Sequence, residues 1–170
     1  QILCSPGIPR DVYNELTQIN ENVLTDIDIF FKEDNSIKIG ITGTNRKSTT
    51  AFHLQQLFNN FESASLVGNI GNTLLDNINK AKYSVIELSS FQLDKMIKNE
   101  LDFGILLNID KDHLDYHGNF KSYKKSKEKI LQAKKSISNE LDPYKLFYWV
   151  TNEEATQINF ENLPYRYQSI

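Results

Sequence analysis

Cysteine is almost missing from this sequence, with one residue, Cys4, in 170. A lone thiol closes no internal disulfide and builds no cysteine-based zinc site, a usage that agrees with a reducing compartment. Cys4 itself reads as a small buried apolar residue. Long apolar runs are missing too. No segment approaches the roughly 20 residues of a bilayer-spanning helix, and the N-terminus lacks the basic region and apolar stretch of a secretory signal, so a cytoplasmic protein is expected. Charge of one sign is equally scarce, since 19 Lys and Arg against 22 Asp and Glu leave a net charge of -3. No global field draws the chain to nucleic acid or an anionic membrane, and neither is expected as a partner. Any anion site must be local.

What is present is the composition of one globular domain, 39% hydrophobic and 24% charged, with enough length for a sizeable core. The chain opens without an initiating methionine, and Gln1-Ile2-Leu3-Cys4 runs into Ser5-Pro6-Gly7-Ile8-Pro9 as a strand cut just before its turn would. Sequence upstream is expected. Helices are predicted around Asp11–Ile19 and Ile27–Phe31. Lys38–Thr42 reads as a short strand, and Ser48–Phe61 as a helix with Ala51, Leu54, Leu57, Phe58 and Phe61 at helical spacing. Leu66-Val67 precedes Gly68-Asn69-Ile70-Gly71, after which Leu74, Leu75 and Ile78 suggest a short helix. Tyr83–Leu88 is a second clear strand, and Leu93, Met96 and Ile97 belong to a following helix. Phe103–Ile109 is an almost unbroken apolar run, as a strand buried on both faces would be. Phe120–Ile137 reads as one long lysine-rich helix, and Tyr144–Val150 as a last strand. Strands alternating with helices predict an α/β fold, a doubly wound and mostly parallel sheet.

In such a sheet ligands bind beyond the carboxyl ends of the strands. The unusual polar residues all fall there: Lys47 and Ser48 after the first strand, Asn69 after the second, Glu87 ending the third, and Asp110, Asp112 and His113 after the fourth. The stretch GITGTNRKSTT, Gly40 to Thr50, is nearly a phosphate-binding loop. Lys47 would balance phosphate charge, the Ser48 or Thr49 hydroxyl would meet Mg²⁺, and the amides of the loop and helix start would cradle phosphate oxygens. A carboxylate ending an apolar strand is costly to bury without compensation, so a cation is a natural partner for Glu87. Taken singly, each residue also has a plain reading as a turn cap, an ion-paired Glu or a surface His. On the lysine-rich helix, Lys121, Lys125 and Lys129 point outward as a solvated face. Lys127 instead projects from the apolar face of Phe120, Tyr123, Ile130 and Leu131, where it must snorkel, pair or lose its charge.

The ordered motifs Ser5-Pro6-Gly7-Ile8-Pro9, Thr42-Gly43-Thr44-Asn45-x-Lys47-Ser48-Thr49, Gly68-Asn69-Ile70-Gly71, Glu87-Leu88-Ser89-Ser90-Phe91-Gln92-Leu93, Asn108-Ile109-x-x-Asp112-His113-Leu114-Asp115-x-His117-Gly118 and Tyr123-x-x-x-Lys127 together resemble the Mur ligases. The Glu87–Leu93 segment points to the branch of that family that adds D-glutamate. The resemblance covers roughly Ser5 to Leu131. It implies ATP-dependent ligation in peptidoglycan precursor synthesis: the γ-phosphoryl of ATP passes to the carboxylate of UDP-N-acetylmuramoyl-L-alanine, and the amine of D-glutamate attacks the acyl phosphate. By matching position it implies that Gly43, Thr44, Asn45, Lys47, Ser48 and Thr49 hold ATP. It gives Ser48, Glu87, His113 and Lys127 to two Mg²⁺ sites, and Asn69, Ser89 and Gln92 to the muramoyl substrate. Lys47, His113 and Lys127 are the catalytic candidates, with Lys127 carbamylated. It further implies a three-domain, monomeric enzyme. Residues 1–35 would then be the end of the N-terminal domain with lead-in helices, 36–170 the central ATP-binding domain, and the C-terminal ligase domain would be absent, so that this chain alone is not competent for the full reaction.

One residue departs from the pattern. Arg46 stands where the family has glycine, which serves both positive φ and close approach to phosphate. Either the arginine impairs ATP binding, or it is tolerated and reaches a phosphate oxygen from outside the loop. The first outcome supports a second class of function, a non-catalytic remnant or interaction module that keeps the fold. A general P-loop switch NTPase is disfavoured, since nothing resembles switch segments.

Overall fold

The computed structural model describes residues 1–138, 148–151 and 155–157, with side chains through residue 138. A two-stranded parallel ribbon joins β1 (Ile2–Leu3) to β2 (Val23–Leu24), flanking α1 (Arg10–Ile19). Next comes α2 (Asp26–Glu33), started by a capping box in which the Asp28 carboxylate accepts from the Thr25 amide at 2.8 Å. Ile27, Phe30 and Phe31 of α2 are buried in the main core. The lead-in and the domain after residue 35 therefore share one apolar cluster.

The main sheet follows: β3 (Ile37–Thr42), α3 (Lys47–Asn59), β4 (Ala64–Gly68), a 3-10 turn (Leu75–Asn77), β5 (Tyr83–Glu87), α4 (Ser90–Lys95), β6 (Phe103–Leu106), α5 (Leu114–His117), α6 (Phe120–Glu128) and β7 (Lys135–Ser138). Strands β8 (Tyr148–Thr151) and β9 (Ala155–Gln157) complete it. The order is β4-β5-β3-β6-β7-β8-β9. The first five strands in that order run parallel, and β8 is antiparallel to both its neighbours, β7 and β9, which is the mostly parallel α/β sheet expected. The chain moves from β3 out to β4, then crosses back past β3 to β6. That reversal puts the topological switch point at the carboxyl ends of β3, β5 and β6. Among the described residues no helix is long and apolar enough to cross a membrane.

Two apolar layers sandwich the sheet. Ile39, Ile41 and Val85 pack with Ala51, Leu54 and Phe58 of α3 on one face. Leu57 and Phe61, expected in the same stripe, are exposed, and the helix expected to reach Phe61 ends at Asn59. On the other face Ile86, Leu93, Met96, Leu101 and Ile130 form the larger cluster with α2.

The helix expected over Phe120–Ile137 is shorter. It ends at Glu128, passes through a 3-10 turn (Lys129–Gln132) and gives way to β7. Ser136 and Ile137 pair with Gly104 and Ile105, and the sheet's hydrogen bonds outweigh the helix preference of a lysine-rich segment. Nor does Lys129 point to solvent, since its ammonium donates to the Asp94 carbonyl at 2.6 Å. The apolar run Phe103–Ile109 is strand only to Leu106, beyond which it forms the loop of the site. Of the strand expected over Tyr144–Val150, residues 144–147 lie outside the described residues.

The 3-10 turn can sit this close only because β6 carries glycine. A Cβ on Gly104 would lie 2.2 Å from the Ile130 carbonyl oxygen, a backbone atom that cannot swing aside. Gly104→Ala is therefore expected to cost about 1–3 kcal/mol, read as a lower urea midpoint with an unchanged m-value.

Candidate functional site

The loop between β3 and α3 is shaped mainly by Asn108, just past β6. The Thr44 amide donates to the Asn108 carbonyl at 2.9 Å and the Asn45 amide to its Oδ1 at 2.8 Å, while Asn108 Nδ2 returns a bond to the Asn45 carbonyl at 3.1 Å. Thr44 Oγ1 accepts from the Asp110 amide at 2.9 Å and lies 2.9 Å from the Tyr123 hydroxyl. The amides of Thr44 and Asn45 thus hold the loop's shape. The amides of the first turn of α3 lack acceptors within the helix. Ser48 and Thr49 are exposed at that helix start. Lys47 folds back, its ammonium donating to the Thr44 carbonyl at 2.9 Å.

Arg46 adopts φ 65 and ψ 9, the left-handed conformation. The loop does require positive φ at this position, at about 1–2 kcal/mol for a residue with a Cβ. Its side chain is exposed.

Glu87 ends β5 with 1% exposure. Its Oε1 accepts from the Asn69 side chain at 2.9 Å, whereas Oε2 is buried with no hydrogen-bond partner among the described residues. Gly68, at φ 106, makes this approach possible, because a Cβ there would meet the Glu87 carbonyl oxygen at 2.4 Å. A carboxylate oxygen buried without a donor is strongly unfavourable, and a cation is what such a group fits.

Lys127 enters from α6. Asn119 caps this helix by accepting from the Ser122 amide, and Tyr123, Ser126, Lys127 and Ile130 face inward at spacings of three and four. The Lys127 amine donates to the Gly43 carbonyl at 2.7 Å and the Thr42 hydroxyl at 3.2 Å, and lies 5.1 Å from the Tyr123 ring centre. Burial first, then the Lys47 charge, lowers its pKa from an ordinary 10.5 to about 7; Asp112 and Glu87 oppose the shift. Four charged groups from four segments thus share one neighbourhood.

His113 caps α5 in the left-handed region, φ 47, half-exposed, with Nε2 3.4 Å from Asp112 and its ring 4.9 Å from that of Phe91. Ser89 and Gln92 face each other instead of standing apart. The Gln92 amide donates to Ser89 Oγ at 3.2 Å and the Ser89 amide to Gln92 Oε1 at 3.0 Å, a capping box that starts α4. The spacing Ser-x-x-Gln before an apolar run is the signal that predicts it. Sequence reasoning gave no role to Asn108, and an Asn ending an apolar run carries no sign of its loop-holding part. Among the described residues no three His, Cys, Asp or Glu side chains gather as a metal site. An ion at Glu87 would need donors of other kinds, such as a hydroxyl, a carbamate or phosphate oxygens. Two clefts lie elsewhere: an apolar one of about 400 Å³ beside α3, and a polar one of about 550 Å³ at the amino ends of the strands.

A parallel sheet with a small-residue loop, a helix start and a lysine at its switch point defines the phosphate-loop class of α/β nucleotide-binding domains. The chain belongs to the Mur ligase family, whose middle-domain model matches residues 41–163. It is 42% identical over 136 residues to UDP-N-acetylmuramoylalanine--D-glutamate ligase of Francisella tularensis subsp. novicida, covering 74% of this chain and 32% of that one. The same-named protein of Francisella philomiragia is 38% identical over 143 residues, covering 80% and 34%. The chain thus spans about a third of the length of these relatives. Among solved structures, MurF ligase from Thermotoga maritima in complex with ADP superposes with a TM-score of 0.53 at 17% identity, over 83% of this chain and 43% of that one, a likeness of fold.

The unfolded Lys127 keeps its proton up to about pH 10.5, while the folded amine loses it above about 7. Between those values the unfolded chain binds more protons, so stability contributed here rises with pH across the window and is lost as pH falls through 7. Urea midpoints of the wild type measured from pH 6 to 10 should climb more steeply than those of Lys127→Met.

Proposed function

We propose that this chain is the ATP-binding part of a cytoplasmic, monomeric ligase that joins D-glutamate to UDP-N-acetylmuramoyl-L-alanine in peptidoglycan precursor synthesis. The lead-in would be residues 1–35 and the central domain 36–170. The observation that carries the reading is the pair of buried, mismatched groups at one sheet edge. Glu87 has an oxygen without a donor among the described residues, and Lys127 carries a pKa near 7.

In this reading the first-turn amides of α3 cradle the phosphates of ATP, and Lys47 swings from Thr44 to offset charge on the transferred phosphoryl group. Asn69, held by Glu87, and Ser89 at the start of α4 line the approach of the muramoyl carboxylate. Gln92 keeps Ser89 in place. A lysine with a pKa near 7 is about half unprotonated at neutral pH, far more than an ordinary lysine, so its amine can add CO₂ and release a proton to give an anionic carbamate. Glu87, the Ser48 hydroxyl and that carbamate would hold one Mg²⁺, with His113 serving a second. Bound magnesium would neutralise the repulsion between phosphate and carboxylate. Transfer of the γ-phosphoryl to the carboxylate gives an acyl phosphate. The amine of D-glutamate attacks its carbonyl carbon, and phosphate leaves.

One observation favours a second reading. Arg46 holds positive φ at the loop's tip and brings a cation there, which fits a remnant or interaction module with impaired ATP binding. Calorimetric titration of Mg²⁺ and a non-hydrolysable ATP analogue separates the two. Comparable affinity in the wild type and Arg46→Gly supports the ligase reading; binding by Arg46→Gly alone supports the remnant, and binding by neither removes the nucleotide site. Bicarbonate should also tighten Mg²⁺ binding in the wild type and leave Lys127→Ala unchanged, and equal affinities with and without it in the wild type would sink the carbamate.

A further inference from the structure

Apolar packing does not explain where α1 sits, since none of its ten residues is buried. Its described polar contacts with the domain run through the last turn of α4. Arg10 Nε lies 3.5 Å from Asp94, and the Tyr13 hydroxyl donates to the Lys95 carbonyl at 3.3 Å. The Lys95 ammonium, on a residue only 2% exposed, donates to the Pro6 carbonyl at 2.6 Å. The same ammonium donates to the Tyr116 hydroxyl and lies 4.8 Å from that ring's centre and 5.8 Å from that of Tyr13.

Tyr116 belongs to α5, three residues after His113. A one-turn helix with a left-handed residue at its start needs outside support. From within the domain it comes from His117, whose Nε2 lies 3.0 Å from Ser90 Oγ and whose ring packs 5.3 Å from that of Tyr123. It comes also from Lys95 of α4, which holds Tyr116 and, with the same ammonium, Pro6 of the N-terminal segment. We propose that Lys95 is a positioning residue that couples the Ser5–Pro9 turn and α1 to the helix presenting His113.

Physically, one ammonium satisfies a carbonyl on the N-terminal segment and a phenol on α5. Displacing either leaves a desolvated cation with an unmade bond. Bonds from a charged donor are about twice as strong as neutral ones, and ring faces add attraction. Burial lowers the Lys95 pKa and raises that of Tyr116 to about 12, so the phenol keeps its proton through the neutral range. A shift of the segment before α1 would thereby reach His113 without passing through the sheet. The link to nucleotide binding rests on the proposed role of His113; the mechanical coupling does not.

Amide hydrogen exchange on residues 1–170 without nucleotide tests the coupling, in the wild type, Lys95→Met and Tyr116→Phe. Lys95→Met keeps the bulk of the stem and removes the ammonium, and Tyr116→Phe removes one hydroxyl and spares the Pro6 bond. Both should raise exchange about ten-fold in residues 5–17 and 113–117 together, with β3 and β5 unchanged. A rise confined to one of the two segments, or spread evenly over the chain, would overturn the proposal. Titration with Mg²⁺ and the ATP analogue should show several-fold weaker binding by Lys95→Met, and equal affinity would overturn the link from the coupling to nucleotide binding. If the wild type binds no nucleotide, the ligase reading fails, and exchange alone decides the role of Lys95.

Discussion

Parallel pairing of β5, β3 and β6 ends three strands at one edge, and every feature of the site follows from that constraint. The Leu88 amide donates to Ile41, the Leu107 amide to Thr42, and the Thr42 hydroxyl to Leu88. The chain can leave such an edge only through loops. Three strand ends therefore meet, bringing together Lys47, Glu87, and Asn108 through His113, and Asn69 reaches Glu87 from the loop past β4. The fourth contributor, Lys127, arrives over the face of the sheet. It can do so because Gly104 lets the turn around Ile130 settle on β6, which brings the preceding turn of α6 down onto Thr42 and Gly43.

How far the sequence revealed this depended on whether the deciding force was local. Strands β3 and β5 and helix α3 announced themselves through apolar runs and spacing, since burial sets those patterns directly. Lys127 was legible for the same reason, as one charge on an otherwise apolar helix face. The end of α6 was not. Residues 129–135 carry strong helix formers, and only pairing with Gly104 and Ile105 turns Lys135–Ser138 into a strand. Long-range pairing leaves no mark on a local window. Lys95 was hidden differently. Its burial depends on Pro6, Tyr13 and Tyr116, residues far from Lys95 in the chain whose meeting with it no periodicity predicts.

Polar burial here takes two forms with opposite meanings. Lys95 is enclosed by a carbonyl, a phenol and ring faces, and Lys38 by the Asp34 carbonyl at 2.6 Å and its carboxylate at 3.5 Å. Those groups find protein partners and read as structure. Glu87 Oε2 finds none among the described residues. Mismatch of that kind persists in a fold when something outside the chain completes it, which is why the carboxyl edge, and not the cleft beside α3 or the one at the amino ends, is the place to look for a ligand.

Arg46 can be weighed on the same physical footing. Were the loop's shape set by residue 46, a side chain there would pull it out of the left-handed region and destroy the cradle. The shape is set instead by Asn108, through three hydrogen bonds to Thr44 and Asn45, and by Thr44 Oγ1 with Asp110 and Tyr123. Those bonds outweigh about 1–2 kcal/mol of backbone strain, so the loop stays formed around the arginine and the strain is carried as a loss of overall stability. The substitution then acts on a ligand through access and charge at the loop's rim, not through loss of the amide cradle. A guanidinium at that rim attracts a polyphosphate, whereas a neutral side chain of equal bulk would only obstruct it. Charge and bulk therefore oppose each other at position 46, and their balance decides whether the phosphate loop works.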